Sequence, residues 1–118
     1  MKYVLLFVNS LEPGKRWQDI PEDLRNETYR RVFQWFEDHG SVMLEGSELQ
    51  GADTATTVRF DQNHQPIVTD GPFIEASEIV GGYSLVEVED FDAALALAKS
   101  WPGGGAVEIR PIVDHSAG

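Results

Sequence analysis

The chain contains no cysteine. Disulfides, thiolate metal sites and cysteine nucleophiles are excluded by that alone, and the absence fits a cytoplasmic protein. Bases are scarce too. Nine Lys and Arg stand against 20 Asp and Glu, a net charge of −11 over 118 residues. Nucleic-acid binding normally needs a basic stripe that neutralises phosphates, so neither nucleic acid nor an anionic membrane is an expected partner. The acidity reads as solubility and self-repulsion, with an interaction role as the other reading. Long apolar runs are missing as well. The opening MKYVLLFVNS has an apolar core only from Val4 to Val8, with no small-residue cleavage site after it, so it reads as a buried strand rather than a secretion signal. No run approaches the roughly 20 residues of a membrane span. There is no internal repeat, no GxGxxG, no Walker lysine, no HExxH and no nucleophilic-serine motif, so no cofactor and no metal are expected.

What is present is an ordinary globular composition, 42% hydrophobic and 25% charged, of a length that suits one domain spanning residues 1–118. Lys2 to Asn9 is apolar at nearly every position, which predicts a central strand covered on both faces. Pro13-Gly14 marks a loop, in which Trp17 is either a lid, an interface anchor or packing over the core edge. Pro21, Glu22 and Asp23 open a helix that Gly40 stops, with Tyr29, Val32, Phe33 and Phe36 as its apolar stripe and Trp35 off it. His39 reads as a helix-end residue near the last carbonyls.

Ser41 to Leu49 is a second strand; residues 55–69 read as a hairpin, with Pro66 at an edge or first position. A short piece over 73–79, read as helical, leads to a strand from Val80 to Glu89. Asp90 then caps a second helix, which Pro102-Gly103-Gly104-Gly105 ends, and Ala106 to Val113 is the last strand. The order β-α-β-hairpin-β-α-β predicts an α+β, ferredoxin-like domain with an inserted hairpin. Its two helices cover one sheet face. The other is expected to carry Tyr3, Leu5, Phe7, Tyr83 and Leu85, an apolar patch that a second copy would cover, so a homodimer is expected.

Several motifs agree in order and spacing over nearly the whole chain: MKYVLLFVN at the start, TATTVR (Thr54 to Arg59), TDGPF (Thr69 to Phe73), Glu75, Glu78, Gly81-Gly82-Tyr83, and VEIRP (Val107 to Pro111). Together they resemble the DGPF, or YCII-related, family. The resemblance implies a dimeric α+β barrel. Most members have no established activity, some relatives process lactones or dehalogenate, and DGPF members tend to be encoded beside extracytoplasmic-function sigma factors. The resemblance also implies a histidine–aspartate pair in the broader group. Asp70 matches the aspartate, but none of His39, His64 and His115 lies in a family motif, and Ser77 stands where members commonly carry lysine.

Two readings of the chemistry follow. In the first, Asp70 is the lead acid/base, Tyr83 and Glu87 work from one strand face, and Arg59, Glu75 and Arg110 bind a small organic acid or lactone-like compound without a cofactor. Glu45 and Glu108 are placed to join that face. In the second, Asp70-Gly71-Pro72 is turn chemistry, the charged residues are surface or interface ion pairs, and the chain is a non-catalytic dimeric module that binds a small ligand or a regulatory protein.

Overall fold

The computed structural model describes residues 1–10, 15–72 and 78–117. The chain builds β1 (Lys2–Ser10), a 3-10 turn (Trp17–Asp19), α1 (Glu22–Asp38), β2 (Met43–Glu48), β3 (Thr56–Phe60), β4 (Pro66–Asp70), β5 (Glu78–Glu87), α2 (Phe91–Lys99) and β6 (Ala106–Pro111). It is a mixed α+β protein. Four strands form one antiparallel sheet in the order β2-β5-β1-β6, and β3 and β4 pair only with each other, as a separate two-stranded ribbon. Among the described residues no helix is long and apolar enough to cross a membrane.

The helices form where local chemistry permits. Pro21 occupies the N-cap of α1, and Glu22 and Asp23 sit in the first turn, near its positive end. His39 ends α1, its Nδ1 2.8 Å from the Trp35 carbonyl oxygen, so the ring adds a second donor to a carbonyl that already accepts from the His39 amide at 3.1 Å. Asp90 caps α2 by accepting a 2.9 Å bond from the Ala93 amide. Such a cap contributes about 1 kcal/mol.

The core lies between the sheet and the helices. Tyr3, Leu5, Phe7, Trp35, Val86, Ala94 and Leu97 are buried together. Phe7 stacks on Trp101 at 3.9 Å, and the Trp35 ring meets both edge-on. The one polar atom of Trp35 is satisfied: its indole N–H donates to Ser100 Oγ at 2.8 Å. Fully burying side chains such as Leu5 and Val86 contributes roughly 1.5–3 kcal/mol each.

This core corrects two expectations. Tyr3, Leu5 and Phe7 point at the helices, not at the open face, because they stand opposite Val86, Ser84 and Gly82 on β5. The open face carries Val4, Leu6 and Val8 instead, beside Tyr83 and Leu85. The α1 stripe is also rotated: Trp35 is its buried residue, whereas Phe33 is exposed and stacks on Tyr29.

Glycines set the sheet's ends. The register of β1 against β5 slips between Phe7 and Val8, so Gly81 is the extra residue of a bulge. A Cβ on Gly81 would lie 2.1 Å from Asn9 Nδ2, so Asn9 packs on bare backbone there. Gly105 has φ +67 and passes so close to β1 that a Cβ would lie 2.1 Å from the Val8 carbonyl oxygen. Gly105 therefore serves close backbone approach.

Candidate functional site

The open sheet face is where the predicted polar residues meet. Strand alternation puts Tyr83, Leu85 and Glu87 of β5 on it, and pairing places Leu6 opposite Tyr83 and Glu108 opposite Leu6. One row along, Glu45, Leu85, Val4 and Arg110 stand side by side across all four strands. The face is thus an apolar strip of Val4, Leu6 and Leu85, with carboxylates at one side and a Glu108–Arg110 ion pair, 3.3 Å long, at the other.

The most defined contact in it is a hydrogen bond of 2.8 Å from the Tyr83 hydroxyl to Glu45 Oε1. This bond to a carboxylate raises the Tyr83 pKa above its usual 10.0, the nearby Ser47 bond opposing the rise. Tyr83 is therefore held protonated, as a donor rather than a phenolate base. Glu45 was legible as a residue of this face; its direct bond to Tyr83 depends on a register slip between Met43 and Glu45 that sequence does not announce.

The other predicted site residues fall elsewhere. Asp70 ends β4 and Arg59 lies in β3, so both belong to the ribbon and not to the four-stranded sheet, and both are exposed. Asp70 is followed by Gly71 at φ 115, whose amide donates to the Ala55 carbonyl at 2.8 Å and so extends the β3–β4 pairing by one step. Glu75 lies outside the described residues. Glu87 and Arg110 are on the open face, at exposed positions.

Sequence reasoning missed a second tyrosine–glutamate pair. Trp17 Nε1 donates to the Tyr29 hydroxyl at 3.0 Å, which donates to Glu48 Oε1 at 2.7 Å. This chain fastens the 3-10 turn and α1 to the end of β2. Burial, then the bond to Glu48, raises the Tyr29 pKa. The spacing Glu45, Glu48 along β2 was the available signal, since positions three apart in a strand point to opposite sides.

Two shallow clefts, of about 270 and 240 Å³, lie on the helix side. The first runs between α2 and β6 past Lys99 and Trp101; the second is bounded by Arg30, Arg31, Gln34 and Trp35. Neither is lined by Asp70, Tyr83, Glu87, Arg59 or Arg110. Arg30 and Arg31 share the Glu27 carboxylate, at 2.6 and 3.1 Å, which offsets the charge of the second cleft. Among the described residues no group of three or more His, Asp or Glu side chains is arranged to hold a metal ion.

The comparisons bear on this geometry in order of strength. No curated protein sequence matches the chain. A solved structure of similar fold is 5-chloro-2-hydroxyhydroquinone dehydrochlorinase (TftG) from Burkholderia phenoliruptrix AC1100 in complex with 2,5-dihydroxybenzoquinone; it is 14% identical, with a TM-score of 0.56 over 99% of this chain and 98% of that one. At that identity the likeness is one of fold. The model of the YCII-related domain matches residues 43–116, which takes in β2, the ribbon, β5, α2 and β6. The chain belongs to the YCII-related family.

Proposed function

We propose that the chain acts as a ferredoxin-like dimeric α+β barrel in which the open sheet face is a cofactor-independent acid/base site. Its substrate is a small organic acid, lactone or oxygenated ring. The Tyr83–Glu45 bond carries this reading. A hydroxyl kept protonated next to an apolar strip is suited to donate to a carbonyl oxygen as negative charge develops on it. Glu87, further along the same strand face, takes the proton from the carbon next to that carbonyl. The enolate then collapses, either by accepting a proton at another carbon or by expelling an anion. Arg110 orients a substrate carboxylate, exchanging part of its pairing with Glu108. The fold shared with a dehydrochlorinase supports an elimination of this kind on a hydroxylated ring. The acidic, cysteine-free composition supports a cytoplasmic setting.

The test is a turnover screen of small lactones, 2-oxo acids and hydroxylated quinones. For a converted compound, Tyr83→Phe is expected to lower kcat by about 10²–10⁴ with KM little changed, and Glu45→Gln to lower it less. A second reading is favoured by the exposure of Asp70 and by the lack of any site residue in either helix-side cleft. In it the dimer is a non-catalytic module for a small ligand or a regulatory protein. Ligand binding in a thermal-shift screen with no turnover, and no sensitivity to Tyr83→Phe, would establish that reading in place of the first.

A further inference from the structure

The ribbon is the part of the molecule that the site does not yet use. It is a lone two-stranded sheet, and such a pair is marginal in water without something packed on it. Alternation puts Thr56, Val58 and Phe60 of β3 on one face with Asp70, Val68 and Pro66 of β4 directly opposite. Val58, Phe60 and Val68 on that face are 49%, 67% and 65% exposed, so nothing among the described residues covers them.

The overall shape says why. The molecule measures 50 × 44 × 18 Å. A sheet with one helical layer accounts for that thickness, since packed layers lie about 10 Å apart. The ribbon therefore extends within the plane of the slab and is not folded over its own sheet. The radius of gyration, 16.6 Å, agrees with this. A compact domain of this length has about 13–14 Å.

Size then selects the occupant. Four strands spaced about 4.8 Å apart and running up to about 30 Å give an open face on the order of 500 Å² as flat area. A small ligand fills only part of that area, and alone the area is short of the ~800 Å² per partner that a stable interface buries. The ribbon's apolar face adds the missing part. A second copy covers both surfaces at once, because each copy presents one open sheet face and one uncovered ribbon.

We infer that the apolar face of the ribbon docks on a second copy of the chain, and that Asp70 is carried into the dimer interface with it. Asp70 lies on the docking face beside Val68's strand neighbours, opposite Thr56, whereas Arg59 lies on the reverse face. In that arrangement the acid that stands in the ribbon of one copy lies at the border of the other's open face. This rests on the homodimer reading above.

The natural absence of cysteine allows a direct test. Val68→Cys (ribbon face) and Asp92→Cys (exposed start of α2) are each prepared, and maleimide reactivity is followed across protein concentration beside a light-scattering mass. The expected result is a dimer mass, with the ribbon thiol slowed on the order of tenfold as the dimer forms and the helix thiol unchanged. Mixing Val68→Cys with a differently tagged Leu85→Cys chain under mild oxidation is expected to give a disulfide between the two tags. A dimer whose ribbon thiol stays as reactive as the helix thiol overturns the inference and leaves the dimer standing. A monomer at tens of micromolar, a working range for affinities of this class, overturns both.

Discussion

The two faces of one sheet are made from nearly the same amino acids and do opposite work. β1 alternates Tyr3, Leu5 and Phe7 toward the helices with Val4, Leu6 and Val8 away from them. The first set is buried under Trp35, Ala94 and Leu97; the second is half-buried, with no layer among the described residues above it. The difference lies in the partners. On β5 the helix side presents Gly82, Ser84 and Val86, small enough for tryptophan and phenylalanine rings to settle over them, whereas the open side presents Tyr83, Leu85 and Glu87. A face closed by its own helices is bound to one packing. A face left apolar and edged with acids keeps its contacts for something that arrives later.

The sharpest way to break this contrast is at Trp35. Its truncation in Trp35→Ala removes the ring that joins Phe7, Trp101 and Ser100, and is expected to destabilise the chain by about 3–5 kcal/mol in urea unfolding. A loss below about 1 kcal/mol would show that the helix side is not the main core. Next come the strand neighbours Val86 and Leu85. Val86→Ala is expected to cost about 2 kcal/mol at any protein concentration. Leu85→Ala is expected to cost less than about 1 kcal/mol in dilute protein and more as concentration rises, because in the proposed dimer association completes its burial. Equal, concentration-independent costs would erase the distinction between the faces.

The smallest effect belongs to the Tyr29 fastening. Tyr29→Phe keeps the ring stacked on Phe33 but removes the bonds to Trp17 and Glu48, for an expected loss of about 1 kcal/mol. The pH dependence has a definite sign. The folded-state pKa of Tyr29 is raised, so its contribution is full below the unfolded value near 10.0 and is lost as pH rises through the folded value. The gap between the native chain and Tyr29→Phe should therefore be constant at neutral pH and shrink above pH 10.0, as read by denaturation at a series of alkaline pH values.

The succession of strands and helices could be read from turns, caps and Pro/Gly punctuation, because each of those signals is local. Pro66 does open β4, and Asp90 does cap α2. The phase of β1 could not be read, since Tyr3-Leu5-Phe7 and Val4-Leu6-Val8 are equally apolar and only pairing to β5 chooses between them. The stripe on α1 failed for a related reason. Phe33 and Trp35 are both large and apolar, and the choice falls to whichever ring reaches Phe7. At the candidate site, Tyr83, Glu87, Glu108 and Arg110 shared a face as alternation requires, while Arg59 and Asp70 went with the ribbon because β3 and β4 pair with each other and not with β2 or β5.

The bulge at Gly81 has one more effect. Val80 faces Val8 on the open side, and Tyr83, three residues on, faces that same side. In an unbroken strand, positions three apart would point to opposite sides. The inserted glycine thus acts as a change of reading frame within β5: the segment arriving from the ribbon and the segment bearing the site keep independent parity. Removing that residue would leave the pairing ladder intact in form but exchange inside for outside along one segment, turning Tyr83 into the core or Val80 under the helices.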